Sequence, residues 1–190
     1  EVIQALHFYP PEFRSKLWSE KSIIYCTGYS PLKWGPKDIN TQGMGGSETA
    51  VVYLAREWQK RGYQVTVYGN VEEGTYEGVE YISMDKFSLN DRFSTLVLWR
   101  AFGYSLLQNP RMIRANRILV DLHDLPGTMT HILIPALDRI TAFIVRSEFQ
   151  MQTYLKQMVA GFNENKINSI LEVLSRKFVV IPNGIDDSVI

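Results

Sequence analysis

Short apolar runs punctuate the chain at 22–27, 64–69, 79–83, 95–99, 117–123, 141–145 and 178–182. Each is rich in β-branched or aromatic residues, so each predicts a strand. Several are apolar almost throughout, without polar alternation, which is the pattern of a parallel sheet covered on both faces. Between the runs the apolar period lengthens to that of a helix. Over 47–61, Ala50, Val51, Leu54, Ala55 and Trp58 form one stripe before Gly62 supplies a stop. Further helices are predicted over 104–115, 128–137, 148–159 and 165–175, the last with Ile167, Ile170, Leu171 and Leu174 at helical spacing. Strands alternating with helices imply right-handed crossovers and a doubly wound α/β sheet. Residues 28–46, with Gly28, Pro31, Gly35, Pro36, Gly43, Gly45 and Gly46, read as a long connection too irregular for helix or strand.

Composition narrows this picture. A length of 190 residues fits one hydrophobic core, and an apolar share of 45% is ordinary for a packed domain. The 20 basic residues balance the 20 acids, so no general field draws nucleic acid or an anionic membrane, and any anion site has to be local. Cys26, the single cysteine, has no partner for an intrachain disulfide, which favours a reducing compartment and makes the cytoplasm the expected location. No apolar stretch is long enough to span a bilayer and no signal core opens the chain. The chain begins at Glu1 instead of Met, and residues 1–21, with Pro10 and Pro11, are expected to be a linker or upstream extension of a longer protein.

Four polar constellations stand where predicted strands end. The first, GMGGSE at 43–48, directly precedes the strongest helix. Glycines let backbone amides approach a ligand, and a helix N-terminus offers unpaired N–H groups, so phosphate could bind there. The same residues could simply form a tight turn, with Ser47 or the loop capping the helix. The dinucleotide pattern G-x-G-x-x-G is not met, because Glu48 stands where its third glycine is needed, which disfavours NAD. The second is VDLHDLPG at 120–127. A histidine at a strand's carboxyl end points into the usual ligand crevice, so His123 could hydrogen-bond a substrate hydroxyl or act near a reacting carbon, or else cap the following turn. Asp121, His123, Asp124 and His131 form a weak metal reading, since Asp121 and His123 share a strand face that Asp124 does not, and no metal is expected. In the third, VRSE at 145–148, Arg146 is an anion candidate, Ser147 a natural N-cap or a ligand contact, and Glu148 opens a helix. The fourth, PNGID at 182–186, reads as a sharp turn.

Taken in order, GGSE before a helix ending in RG, then QVTVYG, LVDLHD, VRSE and IPNGID resemble the N-terminal domain of glycosyltransferase family 4, over residues 22–186. The resemblance implies one half of a GT-B fold, a Rossmann-like doubly wound, mainly parallel sheet with helices on both faces. It implies transfer of a sugar from a nucleotide-sugar donor with retention of configuration, without a cofactor or required metal. The domain would shape the acceptor side and meet a C-terminal, donor-binding domain of the same parent chain, whose connection would start at 187–190. On the matching positions, Gly45 and Gly46 look like the loop approaching the donor diphosphate, and His123 like the catalytic strand-end histidine. Ser47, Glu48, Asp124, Arg146, Ser147, Glu148, Asn183 and Gly184 are the further expected substrate contacts. The E-x7-E element of the family's second half lies outside this sequence, so the fragment alone is expected to bind donor poorly and to turn over little. The acceptor is undefined, but Lys33, Trp34 and Lys37 in the stretch 29–42 could stack on a sugar or meet a phosphate, or equally form a solvated lid, and Trp34→Ala is expected to weaken acceptor use more than stability. A non-catalytic module that keeps the fold, or another nucleotide-binding α/β enzyme, is the alternative.

Overall fold

A computed structural model describes residues 15–41, 43–100 and 106–183. Eight strands form one sheet: β1 (Ser22–Gly28), β2 (Gln64–Gly69), β3 (Gly74–Tyr76), β4 (Val79–Ser83), β5 (Arg92–Trp99), β6 (Arg114–Asp121), β7 (Ala142–Val145) and β8 (Phe178–Val180). Their spatial order is β3-β4-β2-β1-β5-β6-β7-β8, and every neighbouring pair is parallel except β3 with β4. The helices are α1 (Asp38–Thr41), α2 (Gly46–Lys60), α3 (Glu148–Val159) and α4 (Glu164–Ser175). This is an α/β, Rossmann-like arrangement.

The strand pleat sorts the core. In β1, every residue of which is buried, Ile24 and Cys26 join Leu96, Leu98, Ile118, Val120 and Phe143 beneath α3 and α4. Ile23 and Tyr25 point the other way, to Val51, Val52 and Ala55 of α2 and to Val65, Val67, Val97 and Trp99. Helices therefore cover both faces, which is why the strands read as unbroken apolar runs. The order reverses at β1: the chain steps outward to β2 and β4 on one side, then returns and steps through β5 to β8 on the other. In such sheets the crevice outside the carboxyl ends of the strands at the reversal is the place ligands use.

Local chemistry explains the element ends. Helix α2 stops as predicted, because Gly62 takes φ 83 and lets Tyr63 N–H bond Trp58 O at 3.1 Å while its own N–H bonds Gln59 O at 2.8 Å. The β3–β4 hairpin, absent from the sequence reading, turns through Glu77 and Gly78 at φ 50 and 78, a two-residue loop with both residues in the left-handed region.

Other expectations are corrected. Of the helix expected over 104–115, Leu106 and Leu107 are helical; a 3-10 turn at Pro110–Met112 and β6 from Arg114 replace the rest, where Pro110 lacks the N–H a continuing helix needs, and residues 101–105 lie outside the described residues. Thr128–Ala136 forms 3-10 turns with Pro135 inside, in place of an α-helix. The 28–46 connection contains α1, whose start is held by Asp38 Oδ2 accepting from Gly35 N–H at 2.8 Å. Part of the expected linker belongs to the packed unit: Leu17 bridges Arg92, and Trp18, 4% exposed, donates its indole N–H to Asp91 at 3.0 Å. Residues 1–14 lie outside the described residues.

Candidate functional site

The carboxyl ends of β1, β5, β6 and β7 share one buried polar cluster on the α2 face of the sheet. At its centre is Asp121, the last residue of β6, fully buried in a strand otherwise filled by apolar side chains at that depth. A buried carboxylate needs donors. Tyr25 of β1 donates its hydroxyl to Oδ2, and Arg146, just after β7, donates Nη2–H to Oδ1. Burial first, then the Asp121 charge, pushes the Tyr25 hydroxyl well above the ordinary tyrosine range, so it remains a donor.

His123 stands two residues beyond Asp121, its side chain 3% exposed and its ring edge-on to Trp99 at 5.8 Å. Two groups meet the same ring nitrogen: Arg146 Nη2 at 2.6 Å and Asp121 Oδ2 at 3.2 Å from Nε2. They make incompatible demands, since the carboxylate wants a proton there and the guanidinium offers one. A guanidinium can only donate, so the Arg146 contact is satisfied by the tautomer in which Nε2 accepts and Nδ1 carries the proton. In that tautomer Nδ1 is the ring's hydrogen-bond donor. Arg146 also donates Nη1–H to Ile181 O at 3.3 Å, while its buried Nε–H has no partner among the described residues.

The backbone around the cluster is clamped by Gln150 of α3. Its Oε1 accepts from Arg146 N–H at 2.6 Å, and its Nε2 donates to Leu122 O at 3.1 Å and Asp124 O at 2.8 Å. Asp124 itself is exposed and pairs with Arg100 through two bonds of 2.6 and 2.9 Å. Arg100, at φ 53, lies over the Trp99 ring at 4.9 Å.

The glycine-rich segment forms a second component at the same edge of the sheet. Gly45 and Gly46 are exposed at the start of α2, and a side chain built on Gly46 would meet open space. Glu48 folds back so that its carboxylate lies against Gly45. A cavity of about 520 Å³ opens here, lined by Ser30, Lys33, Trp34, Asp38, Gly45 and Glu48 among others. A phosphate entering it would have to displace the Glu48 carboxylate from the helix end, and Lys33 is the lining cation.

The remaining expected contacts fall as follows. Ser147 caps α3, accepting from Gln150 N–H at 3.1 Å. Glu148 and Asn183 are exposed, and Ser47 is half-buried in the first turn of α2. Gly184 lies outside the described residues. Lys37 pairs with Glu72 at 3.0 Å. Trp34 corrects the expectation of a free stacking ring: it is 5% exposed, packs edge-on to Tyr81 at 6.4 Å, and its backbone bridges Val71 through bonds to Asn70 O and from Glu72 N–H. Sequence reading missed Tyr25, Trp99, Arg100 and Gln150 and considered Asp121 only as a metal ligand. The available signal was an acid inside an apolar strand, which demands a buried partner. Among the described residues no cluster of three acidic, histidine or cysteine side chains could hold a metal, and no helix is long and apolar enough to cross a membrane. No family model, curated protein or solved structure matches the chain.

Proposed function

We propose that the chain is the N-terminal, acceptor-side half of a retaining GT-B glycosyltransferase that moves a sugar from a nucleotide-sugar donor to an acceptor. The observation that carries the reading is the shared edge: exposed amides at Gly45 and Gly46 and the strand-end His123 lie beyond the carboxyl ends of strands of one sheet, on its α2 face. Retaining transfer by way of a departing diphosphate calls for donors that meet growing negative charge. The α2 amides supply such donors, and an imidazole held as an Nδ1–H tautomer supplies another to a sugar oxygen. Ordered motif resemblance over 22–186 supports the same reading.

A second reading, a GT-B-like module that binds without turnover, is favoured by two features. The His123 ring is almost wholly enclosed, and Glu48 occupies the place beside Gly45 that a diphosphate would take. Titration with UDP- and GDP-sugars, with sugar release and transfer measured in parallel on the chain joined to its second domain, separates the two. The enzyme reading expects turnover that Gly46→Val suppresses, the added side chain entering open space and leaving the fold intact. Donor binding equal in both proteins, with no sugar released by either, overturns it.

A further inference from the structure

At the opposite edge of the sheet, where the strands begin, a cavity of about 750 Å³ is lined by Arg92, Arg114 and Arg139. Arg92 opens β5 and Arg114 opens β6, and the two stand directly opposite each other in the parallel register. Like charges so placed repel unless an anion lies between them. Arg139, from the turn before β7, is pinned by a 2.9 Å bond from Nη2 to Ile113 O. Among the described residues none of the three forms a salt bridge.

Acids do not cancel this charge. Glu20 is the carboxylate that lines the cavity. The neighbouring Asp91 is buried and already accepts from Lys16 N–H at 2.9 Å and from the Trp18 indole at 3.0 Å. Trp18 and Phe93, both nearly buried, form an apolar part of the lining. In a chain of zero net charge, three guanidiniums outside any salt bridge against one carboxylate, among the described residues, are a local excess.

We propose that this cavity is a binding site for a compact polyanion, a small molecule bearing phosphoryl or carboxylate groups. Guanidinium forks match both groups with paired hydrogen bonds. The volume lies in the roughly 300–1,000 Å³ range of small-molecule sites. The site is separate from the Gly45–Gly46 edge and does not depend on the transferase reading.

Inorganic pyrophosphate and citrate, titrated separately into the full chain at low salt, test it through arginine side-chain N–H resonances and calorimetry. The expected result is saturable movement of the Arg92, Arg114 and Arg139 signals, weakened by about tenfold or more in Arg114→Gln, a change of about 1.4 kcal/mol in binding. Tighter pyrophosphate binding identifies a phosphoryl ligand, tighter citrate a polycarboxylate. All three arginines are exposed, so an unaltered melting curve confirms that Arg114→Gln folds, and Arg92→Gln repeats the measurement from the other strand. Arginine signals that stay still at millimolar probe, or binding that survives both substitutions, overturn the proposal.

Discussion

Asp121→Asn is the sharpest probe of the cluster at the carboxyl edge. The substitution keeps shape but removes the charge that Arg146 faces, and it replaces one acceptor of the pair by a donor. Tyr25 O–H and Arg146 Nη2–H then compete for a single oxygen, while Arg146 Nε–H already lacks a partner among the described residues. Breaking one side of a buried ion pair costs about 3–5 kcal/mol. The Arg146 side chain is 15% exposed, so some water reaches it and the lower end applies. At about 3 kcal/mol, and about 2–4 °C per kcal/mol for a chain of this size, the melting temperature falls by roughly 6–12 °C. Urea denaturation of Asp121→Asn, Arg146→Met and the double variant measures the coupling directly. The double variant is expected to be more stable than Asp121→Asn, because the stranded cation has gone. A loss below about 1 kcal/mol, the size of an exposed pair, or strictly additive effects, would refute the assignment of Asp121 as the counter-charge of Arg146.

Trp34→Ala should destabilise the chain by about 3–5 kcal/mol in chemical denaturation, since it empties a buried indole site against Tyr81; a wild-type midpoint would contradict the packing. Gly62→Ala is expected to cost about 1–2 kcal/mol by forcing a Cβ into φ 83, measured as a shift in denaturation midpoint at constant slope. Burial pushes the Cys26 thiol from 9.0 up to about 12. The folded state therefore holds this proton more tightly than the unfolded one, so the stability linked to it is complete below pH 9.0 and drains away as pH rises towards about 12. Thiol reagents at mildly alkaline pH should modify Cys26 in urea and spare it in the native chain; rapid native labelling would contradict its enclosure.

The strands were legible because burial on both faces writes continuous apolar runs, and α2 and α3 because each carries a stripe with a local stop or cap. The β3–β4 hairpin was not, since β3 is only three residues long and largely exposed and the turn depends on two positive φ angles that Glu77 does not advertise. Around Pro110 and Pro135, apolar spacing imitated helices that the missing proline N–H prevents. The candidate site was half visible. His123 and Arg146 stood at strand ends and the glycines at the start of the strongest helix, where position alone selects them. Tyr25 and Asp121 are 96 residues apart in the chain, and their meeting follows from the adjacency of β1, β5 and β6, which no local pattern records. Trp34 was misplaced for the converse reason: an aromatic in a polar, glycine-rich connection looks free until its distant partner Val71 is known.

That backbone bridge has a mechanical consequence. A 17-residue stretch between β1 and α2 would ordinarily swing on its two ends, but fastening it near one third of its length to the corner after β2 divides it into a shorter arm, 29–33, and a longer arm, 35–45, that leads into α2. Movement of the shorter arm then drags the β2–β3 corner with it, and Lys37 ties the start of the longer arm to Glu72 of that same corner, so a reporter placed at Glu72 registers displacement of either arm from outside the mouth.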